Sequence, residues 1–313
     1  MQPPLYKRVK RYFRYLLLAT VGGLAGALLP ARLAGALGAW LGALGWHLAR
    51  TDRQRALDSL ARAFPGKSEA ERVALSKACF AHLGRMIGEL VAVREIDRDL
   101  AKWVEWPQSA QAVVKEGLAR GKGVIFVSGH LGSWELLART VALHGHPCTT
   151  IAKETTDART TALIERFRES GKLHSIWRGR DGAAKKMLKV LKGGEILGLL
   201  IDQDTDVQSV WVPFFGHPAK TPRAAADLAL RTQATVVFGA CRRIAPQRYA
   251  LTMQSVPLPT EGDDEAKSVA LTAELTRLIE EAIRAAPEQW VWMHRRWKSQ
   301  PPSSATSSLA RTS

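Results

Sequence analysis

The sequence contains few cysteines and no arrangement of them that is typical of a metal or redox site. Cys79, Cys148 and Cys241 are the three cysteines in 313 residues, they lie far apart, and no C-x-x-C pair is present. This spacing excludes a disulfide scaffold and argues against a zinc finger or a redox dithiol. We therefore expect three reduced, buried thiols in a protein of a cytoplasmic compartment.

The sequence also lacks an uninterrupted apolar run of the roughly 20 residues that a transmembrane helix needs. Residues 15–49 are apolar, but Pro30 and Arg32 divide them into a run over 16–29 and a run over 33–49. The mean hydropathy of −0.11 excludes a polytopic membrane protein. A signal peptide is not indicated either, because the apolar region is too long and no convincing cleavage site follows it.

Both flanks of this apolar region are basic. Five Lys or Arg residues lie within residues 1–14, and Arg50, Arg53 and Arg55 follow the region. A single span would place one basic flank on the disfavoured side of the membrane. We predict that residues 1–50 form a membrane-anchoring helix or helical hairpin, with two short helices in one leaflet as the preferred arrangement. A single tilted span and a soluble helical hairpin remain alternatives.

Acidic residues are scarce relative to basic ones. Lys and Arg total 45 against 29 Asp and Glu, which gives a formal net charge of +16. Such a balance predicts an anionic partner, which can be nucleic acid, an anionic membrane surface or acidic soluble molecules. No recognisable nucleic-acid-binding module is present, and the apolar N-terminal region favours a membrane. We expect a membrane partner and no nucleic acid.

Residues 51–100 have the pattern of charge-balanced helices. Pro65-Gly66 ends one helix, and Ser68 with Glu71 has the spacing of a capping box that begins the next. Apolar residues at helical spacing then predict a stripe that faces the core. The stripe consists of Leu75, Cys79, Leu83, Ile87 and Val91.

From about residue 120, short apolar runs with β-branched residues alternate with helical segments. Strands are predicted over 123–128, 148–152, 196–201, 235–241 and 249–256, and helices over 133–144, 160–170, 182–191, 222–232 and 266–285. This alternation predicts an α/β fold with a central, largely parallel or mixed sheet flanked by helices. We assign residues 51–298 to this domain and expect residues 299–313, which are rich in serine, to be disordered.

The segment Gly-His-Leu-Gly-Ser-Trp-Glu at 129–135 carries the strongest chemical signal. His130 follows a predicted strand, at the edge where open α/β sheets bind ligands. Gly129 and Gly132 permit a tight turn, and Ser133 can cap the next helix. Glu135 can then fold back across the turn to hold one nitrogen of His130 and leave the other free to accept a proton.

No Gly-x-Ser-x-Gly nucleophile motif is present in this segment. The His130–Glu135 pair therefore predicts a base that activates a hydroxyl of the substrate itself, without a covalent enzyme intermediate. A structural, hydrogen-bonded histidine is the alternative.

Four ordered segments resemble one protein family. They are Leu-Ala-Arg-Ala-Phe-Pro at 60–65, the 129–135 segment, Asp-Gln-Asp at 202–204 with Val-Pro-Phe-Phe-Gly at 212–216, and Pro-Glu-Gln-Trp-Val-Trp-Met-His-Arg-Arg-Trp-Lys at 287–298. They resemble the late acyltransferases of bacterial lipid A biosynthesis, the lauroyl/myristoyl acyltransferase family, which is related to the glycerophospholipid acyltransferases.

The resemblance implies a reaction and its setting. A fatty acyl group would pass from acyl carrier protein, or from coenzyme A, to a hydroxyl of a lipid A precursor at the cytoplasmic face of the bacterial inner membrane. His130 would be the general base and Glu135 would orient it, with no cofactor and no metal. An alternative acceptor is a lysophospholipid or another glycolipid. A non-catalytic membrane scaffold is the alternative of a different class, but it gives no reason for the His130–Glu135 pair.

Five further residues are candidate substrate-binding positions. Arg168 lies where the family has an Arg before a Gly, and it could bind a phosphate or a developing oxyanion. Arg180 belongs to a basic stretch over 177–195, which suits a phosphorylated head group or an acidic carrier protein. Asp202, Gln203 and Asp204 are expected to form a polar network that supports the site. Solvated surface charge is the alternative for the arginines, and a metal site is the less favoured alternative for the two carboxylates.

Overall fold

A computed structural model describes residues 5–301 of the chain. The tail predicted to be disordered covers residues 299–313, and residues 302–313 of it lie outside the described residues. Two helices form the N-terminal region, α1 (Leu5–Leu28) and α2 (Ala31–Leu48). They are separated at Pro30, which has no backbone N–H with which to continue the hydrogen bonding of α1. The predicted division of the apolar region into two helices at this proline is confirmed.

Within residues 5–301, no helix has both the length and the apolar character that crossing a membrane requires. A membrane-associated role of residues 1–50 therefore stays a prediction.

The second of these helices packs on α4 with backbone against backbone. The helices α3 (Arg50–Ala63) and α4 (Glu69–Val91) follow α2 in the chain. A Cβ atom added to Gly38 would lie 2.1 Å from the carbonyl oxygen of Gly84, and one added to Gly84 would lie 2.1 Å from the carbonyl oxygen of Gly38. Glycine is required at both positions because any side chain would push the two helices apart.

The substitution Gly84→Ala tests this contact. We expect it to lower the free energy of unfolding by about 1–3 kcal/mol, because the new methyl group must displace α2. In α1, a Cβ added to Gly23 has no atom within 4 Å. Gly23→Ala is therefore the matched control, and it should be neutral or slightly stabilising because alanine is the better helix former. Equal unfolding midpoints for the two variants in denaturant would contradict the packing argument.

The helix α4 begins as predicted but buries a wider face than predicted. The Ser68 side chain accepts the N–H of Glu71, and the Glu71 carboxylate accepts the N–H of Ser68, so the capping box is confirmed. The predicted stripe is partly wrong, because Cys79 is buried but Ile87 is 57% exposed. The physical reason is that α4 packs against α2, α3 and a C-terminal 3-10 turn (Pro287–Gln289), rather than against one partner.

The α/β domain contains a seven-stranded sheet and a separate two-stranded hairpin. Its strands are β1 (Val104–Glu105), β2 (Val124–Ser128), β3 (Cys148–Lys153), β4 (Leu173–Arg178), β5 (Ile196–Leu200), β6 (Ser209–Phe214), β7 (His217–Pro222), β8 (Thr235–Ala245) and β9 (Arg248–Val256). The sheet order is β1-β9-β8-β2-β5-β3-β4, and β6 pairs with β7. Neighbours in the sheet are parallel except β8 and β9, which are antiparallel. The predicted largely parallel or mixed sheet is confirmed.

Helices cover both faces of this sheet. After the short helices α5 (Val93–Arg98) and α6 (Leu100–Trp103) come α7 (Gln108–Ala119), α8 (Trp134–Leu143), α9 (Ala158–Ser170), α10 (Ala183–Lys192), α11 (Ala224–Thr232) and α12 (Asp264–Ala285). In β2, Ile125 and Val127 belong to one core cluster with α10, α11 and α12. Val124 and Phe126 belong to a second cluster with α7 and α8. This alternation is expected because successive strand residues point to opposite faces.

The sequence pattern does not predict β1, β4 or the β6–β7 hairpin. The hairpin pairs Pro213 with Pro218, and proline within a run argues against a strand. The edge strand β4 (Leu-His-Ser-Ile-Trp-Arg) is neither a continuous apolar run nor a regular alternation of buried and exposed residues. The predicted strands in the centre of the sheet, which are almost wholly apolar, are all present.

Candidate active site

His130 is held in a tight turn at the carboxyl end of β2. Gly132 in this turn has φ +60°, and a Cβ atom there would lie 1.9 Å from the carbonyl oxygen of Cys241. The turn is fixed from both sides, because the N–H of Ser133 donates to Cys241 and the N–H of Gly132 donates to Gln289, each at 2.9 Å. The Ser133 side chain makes no capping hydrogen bond to α8, so that prediction is wrong; its backbone N–H is used in the turn instead.

Asp202 is the carboxylate that holds His130. Nδ1 of His130 lies 2.8 Å from Oδ1 of Asp202, and the backbone N–H of His130 donates to Oδ2 at 2.7 Å. The indole Nε1 of Trp290 donates to the same Oδ2 at 2.8 Å. Burial would raise the pKa of Asp202, but attraction to the His130 ring and these hydrogen bonds outweigh burial and hold the pKa below its usual range. An ionised Asp202 keeps the proton on Nδ1 and leaves Nε2 of His130 free to accept one.

The predicted contact between Glu135 and His130 is wrong. Both carboxylate oxygens of Glu135 instead contact Arg168: its Nε donates to Oε2 at 3.1 Å, and its Nη2 donates to Oε1. Glu135 lies in the first turn of α8, from which its side chain reaches α9, where Arg168 lies. Asp202 can reach His130 because β5 pairs directly with β2, with Leu200 opposite Ser128.

Gln203 and His294 complete the surroundings of the imidazole. The Gln203 side-chain nitrogen lies 3.2 Å from each ring nitrogen of His130 and donates to Nε2 of His294 at 2.6 Å. Burial, reinforced by the nearby His130 ring, lowers the pKa of His294 to about 4. A neutral His294 can therefore accept the amide proton and fix the position of Gln203. Neither His294 nor Trp290 is predicted from the sequence as a residue of the active site, although both lie in the C-terminal segment at 287–298.

The His130 side chain lines a cavity of about 410 Å³, which we call the cleft. Its walls are largely apolar, with a few polar side chains. The lining residues include His130, Trp134, Ile151, Lys153, Arg168, Ile176, Arg178, Met187, Leu199, Leu200 and Gln203. A smaller, mostly apolar cavity of about 60 Å³, here called the inner cavity, shares Trp134, Ile151, Arg168 and Leu199 with it. Val141 and Cys148 also line the inner cavity, which is adjacent to the cleft.

Three of the five predicted substrate-binding residues lie at the site, and two lie away from it. Arg168 and Gln203 line the cleft, and Asp202 lies directly behind His130. Arg180 is more than half exposed and pairs with Glu154. Asp204 is buried and accepts the backbone N–H of Ser299 at 2.9 Å, so it holds the C-terminal segment. Arg180 and Asp204 are therefore outside the residues that line the cleft. Within residues 5–301, no three His, Cys, Asp or Glu side chains are grouped as ligands for a metal ion.

Comparison with known proteins decides the family. The family model for bacterial lipid A biosynthesis acyltransferases matches residues 5–299. The chain belongs to this family. It is 29% identical over 273 residues to the lipid A biosynthesis lauroyltransferase of Escherichia coli (strain K12), covering 85% of each chain. It is 26% identical over 295 residues to the lipid A biosynthesis myristoyltransferase of the same organism, covering 90% of this chain and 86% of the relative.

A more distant similarity reaches a protein with another named acceptor. The chain is 24% identical over 185 residues to the phosphatidylinositol mannoside acyltransferase of Mycobacterium tuberculosis (strain CDC 1551 / Oshkosh), covering 58% of this chain and 56% of the relative. All three relatives are acyltransferases, and this member of the family is accordingly an enzyme.

A buried and a half-buried histidine near the site predict a loss of stability in mild acid. The pKa of His294 and that of His82, which donates to the Gly132 carbonyl at 3.2 Å, are both lowered to about 4, chiefly by burial. The folded pKa lies below the ordinary value of about 6.5, so the unfolded chain takes up these protons first as the pH falls. Stability is therefore complete above pH 6.5 and falls between pH 6.5 and 4, by at most about 3 kcal/mol per histidine.

Denaturant unfolding across this pH range measures the effect. His82→Gln and His294→Gln should each make the fall shallower, whereas His174→Gln, at an exposed position, should leave it unchanged. A free energy of unfolding that is constant between pH 7 and 4.5 would contradict the assignment.

Proposed function

We propose that this enzyme transfers a fatty acyl group from an acyl thioester, carried by acyl carrier protein or coenzyme A, to a hydroxyl of a lipid A precursor. His130 is the general base. The observation that carries this proposal is the His130–Asp202 pair at the wall of a largely apolar cleft. The pair suits proton removal from a hydroxyl, and the apolar walls suit a hydrocarbon chain.

The reaction proceeds by direct transfer between the two substrates. Nε2 of His130 takes the proton of the acceptor hydroxyl as its oxygen attacks the thioester carbonyl carbon. The tetrahedral intermediate then expels the thiolate, which receives the proton from the His130 imidazolium. Asp202 stabilises that imidazolium through Nδ1. The acyl group thus passes to the acceptor oxygen, the acceptor proton passes to the leaving thiol, and no covalent intermediate forms on the enzyme.

Direct transfer is also favoured by the state of the thiol that lines the inner cavity. Cys148 lines the inner cavity, but burial raises the pKa of its thiol to about 12. Because the thiolate is the nucleophilic form, a thiol held protonated is a poor acyl acceptor. The acyl chain would occupy the apolar part of the cleft, along Ile151, Met187 and Leu199, and continue toward the inner cavity.

Glu135 contributes through Arg168 rather than through His130. Their contact lies at the wall shared by the cleft and the inner cavity, and the Arg168 and Glu135 side chains are only 13% and 17% exposed. We assign to Glu135 the role of positioning Arg168 in the cleft wall, where the guanidinium faces the bound substrates.

Substitutions at His130, Asp202 and Glu135 distinguish the role of the Asp202 carboxylate from that of Glu135. His130→Asn and Asp202→Asn should each lower kcat by roughly 10²–10⁴-fold, because they remove the base or its partner. Glu135→Gln should act mainly on stability, lowering the free energy of unfolding by about 3 kcal/mol, since it leaves a largely buried arginine without its partner. The measurements are acyl-transfer kinetics with mass-spectrometric product analysis and denaturant unfolding of the same preparations.

The controls are His174→Asn and Asp206→Asn, both at exposed positions, which should retain activity. An Asp202→Asn variant with native kcat, or a Glu135→Gln variant as inactive as His130→Asn with native stability, would reverse the assignment of the two carboxylates.

A different acceptor is the second candidate function. The specific observation is the similarity to the phosphatidylinositol mannoside acyltransferase of Mycobacterium tuberculosis, a relative whose name gives an acceptor other than lipid A. The mass of lipid A after deletion of the gene distinguishes the two. A lost acyl chain supports the lipid A precursor, and an unchanged acyl count supports another glycolipid or a lysophospholipid.

The enzyme would act at the cytoplasmic face of the inner membrane, with α2 as an in-plane contact. Large apolar side chains of α2 are exposed on one side of the helix, whereas its glycines face α4. The exposed ones are Leu33, Leu37, Trp40, Leu41, Leu44 and Leu48. An exposed apolar helix face flanked by basic residues is typical of helices that lie in the membrane interface.

Replacing Leu37, Trp40 and Leu44 together by serine should weaken binding to vesicles that contain anionic lipid by at least about 10-fold, because apolar area is lost from the interface. Ile244→Ser removes an exposed apolar side chain from β8 and is the control. Sedimentation with vesicles gives the bound fraction. Unchanged binding of the triple variant would exclude α2 as the membrane contact.

A further inference from the structure

Two basic side chains stand next to each other at the outer side of the cleft. Lys153 is the last residue of β3 and Arg178 the last residue of β4, and the two are paired in the register of these parallel strands. Both line the cleft that contains His130. Parallel strands end at the same edge of the sheet, so the fold brings the two cations together although 25 residues separate them in sequence.

Neither cation is neutralised within the described part of the chain. No ion pair or side-chain hydrogen bond to Lys153 or Arg178 occurs among residues 5–301. The adjacent carboxylate, Glu154, contacts Arg180 instead, with Nε of Arg180 2.5 Å from Oε1. The third cation of the cleft wall, Arg168, is neutralised by Glu135.

The cleft therefore has an unbalanced positive charge at this end. Among the described residues, those that line it include Lys153, Arg168 and Arg178 and no Asp or Glu. The same lining also contains the apolar side chains of Ile151, Ile176 and Leu199. An amphiphile with an anionic group at one end and a hydrocarbon part beside it would match both features.

We propose that Lys153 and Arg178 form a binding site for a phosphate group of a substrate. The inference rests on the proposed function and names the chemistry recognised at the far end of the same cleft. A guanidinium offers a planar fork of donors and an ammonium a compact charge, and together they suit the several oxygens of a phosphate. Arg180, which the sequence pattern indicates for this role, is already paired with Glu154.

The positions of β3 and β4 in the sheet place Lys153 and Arg178 away from the reacting centre at His130. The strand order places β3 two strands and β4 three strands from β2, which corresponds to about 10 Å and about 14 Å across the sheet. A phosphate held there belongs to a part of the substrate remote from the reacting hydroxyl or thioester. Binding energy from a remote group can position the reacting atoms at His130.

The phosphate can come from either substrate, and the test distinguishes the two. The native full-length chain is titrated in neutral detergent micelles with phosphatidic acid, which presents a lipid phosphate, and with 4′-phosphopantetheine, which presents the phosphate of a thioester carrier. Diacylglycerol and pantetheine are the matched probes without phosphate. The double variant Lys153→Gln/Arg178→Gln is titrated in parallel at the same ionic strength.

The control is a second pair of cations with the same change in net charge. Lys122 and Arg231 line a separate cavity of about 400 Å³. They precede β2 and β8 in the chain and so lie near the amino ends of these strands, whereas the cleft lies at the carboxyl ends. The variant Lys122→Gln/Arg231→Gln removes two positive charges without touching the cleft. It separates a specific site from general attraction to a basic protein.

We expect the native chain to prefer at least one phosphorylated probe, and the Lys153→Gln/Arg178→Gln variant to bind that probe at least about 10-fold more weakly, because the charge-assisted hydrogen bonds to the phosphate are lost. The probe that loses affinity identifies the source, and the KM of the corresponding substrate should rise in the transfer assay. No preference for phosphate in the native chain, or equal weakening in the control pair, would overturn the proposal. Binding is measured without turnover, so an inactive chain that still binds phosphate would refute the proposed function alone.

Discussion

Asp202 accepts three hydrogen bonds in a place that water does not reach: two from His130 and one from the indole of Trp290. These three residues come from a turn after β2, the end of β5 and the C-terminal segment, so one carboxylate joins distant parts of the chain. A buried carboxylate without such donors would be protonated or would destabilise the fold. The orientation of the imidazole, its tautomer and the position of the C-terminal segment all depend on this group.

The turn that carries His130 is supported from the N-terminal helices as well. His82 of α4 donates to the Gly132 carbonyl, and Glu89 of the same helix is buried against Arg243 and Tyr249 of the sheet, with the Tyr249 hydroxyl donating to Glu89 at 2.6 Å. The close approach of α2 and α4 through glycines thus fixes the apolar face of α2 relative to the site. A membrane contact through α2 would hold the cleft at a constant position with respect to a bilayer.

Carboxylates are distributed unevenly around the cleft, and this decides what each cation can do. Glu135 neutralises Arg168 and Glu154 neutralises Arg180, whereas Lys153 and Arg178 keep their charge available to a ligand. A count of basic residues along the chain cannot make this distinction, because every one of these cations contributes equally to the net charge. The distinction comes from the acid that each cation contacts: Arg168 is paired in the cleft wall and Arg180 is paired at the surface.

The class of the fold, the central strands, the capped start of α4 and the position of His130 after a strand are predictable from the sequence alone. These follow from local rules: apolar runs of strand length, a Ser and a Glu three residues apart, and a histidine between glycines after a strand. The contact of Asp202, rather than Glu135, with His130 and the pairing of Lys153 with Arg178 are evident only in the folded chain. Sheet order and register bring together residues that are 25 and 72 positions apart, whereas the local spacing of residues favours the nearest acid along the chain.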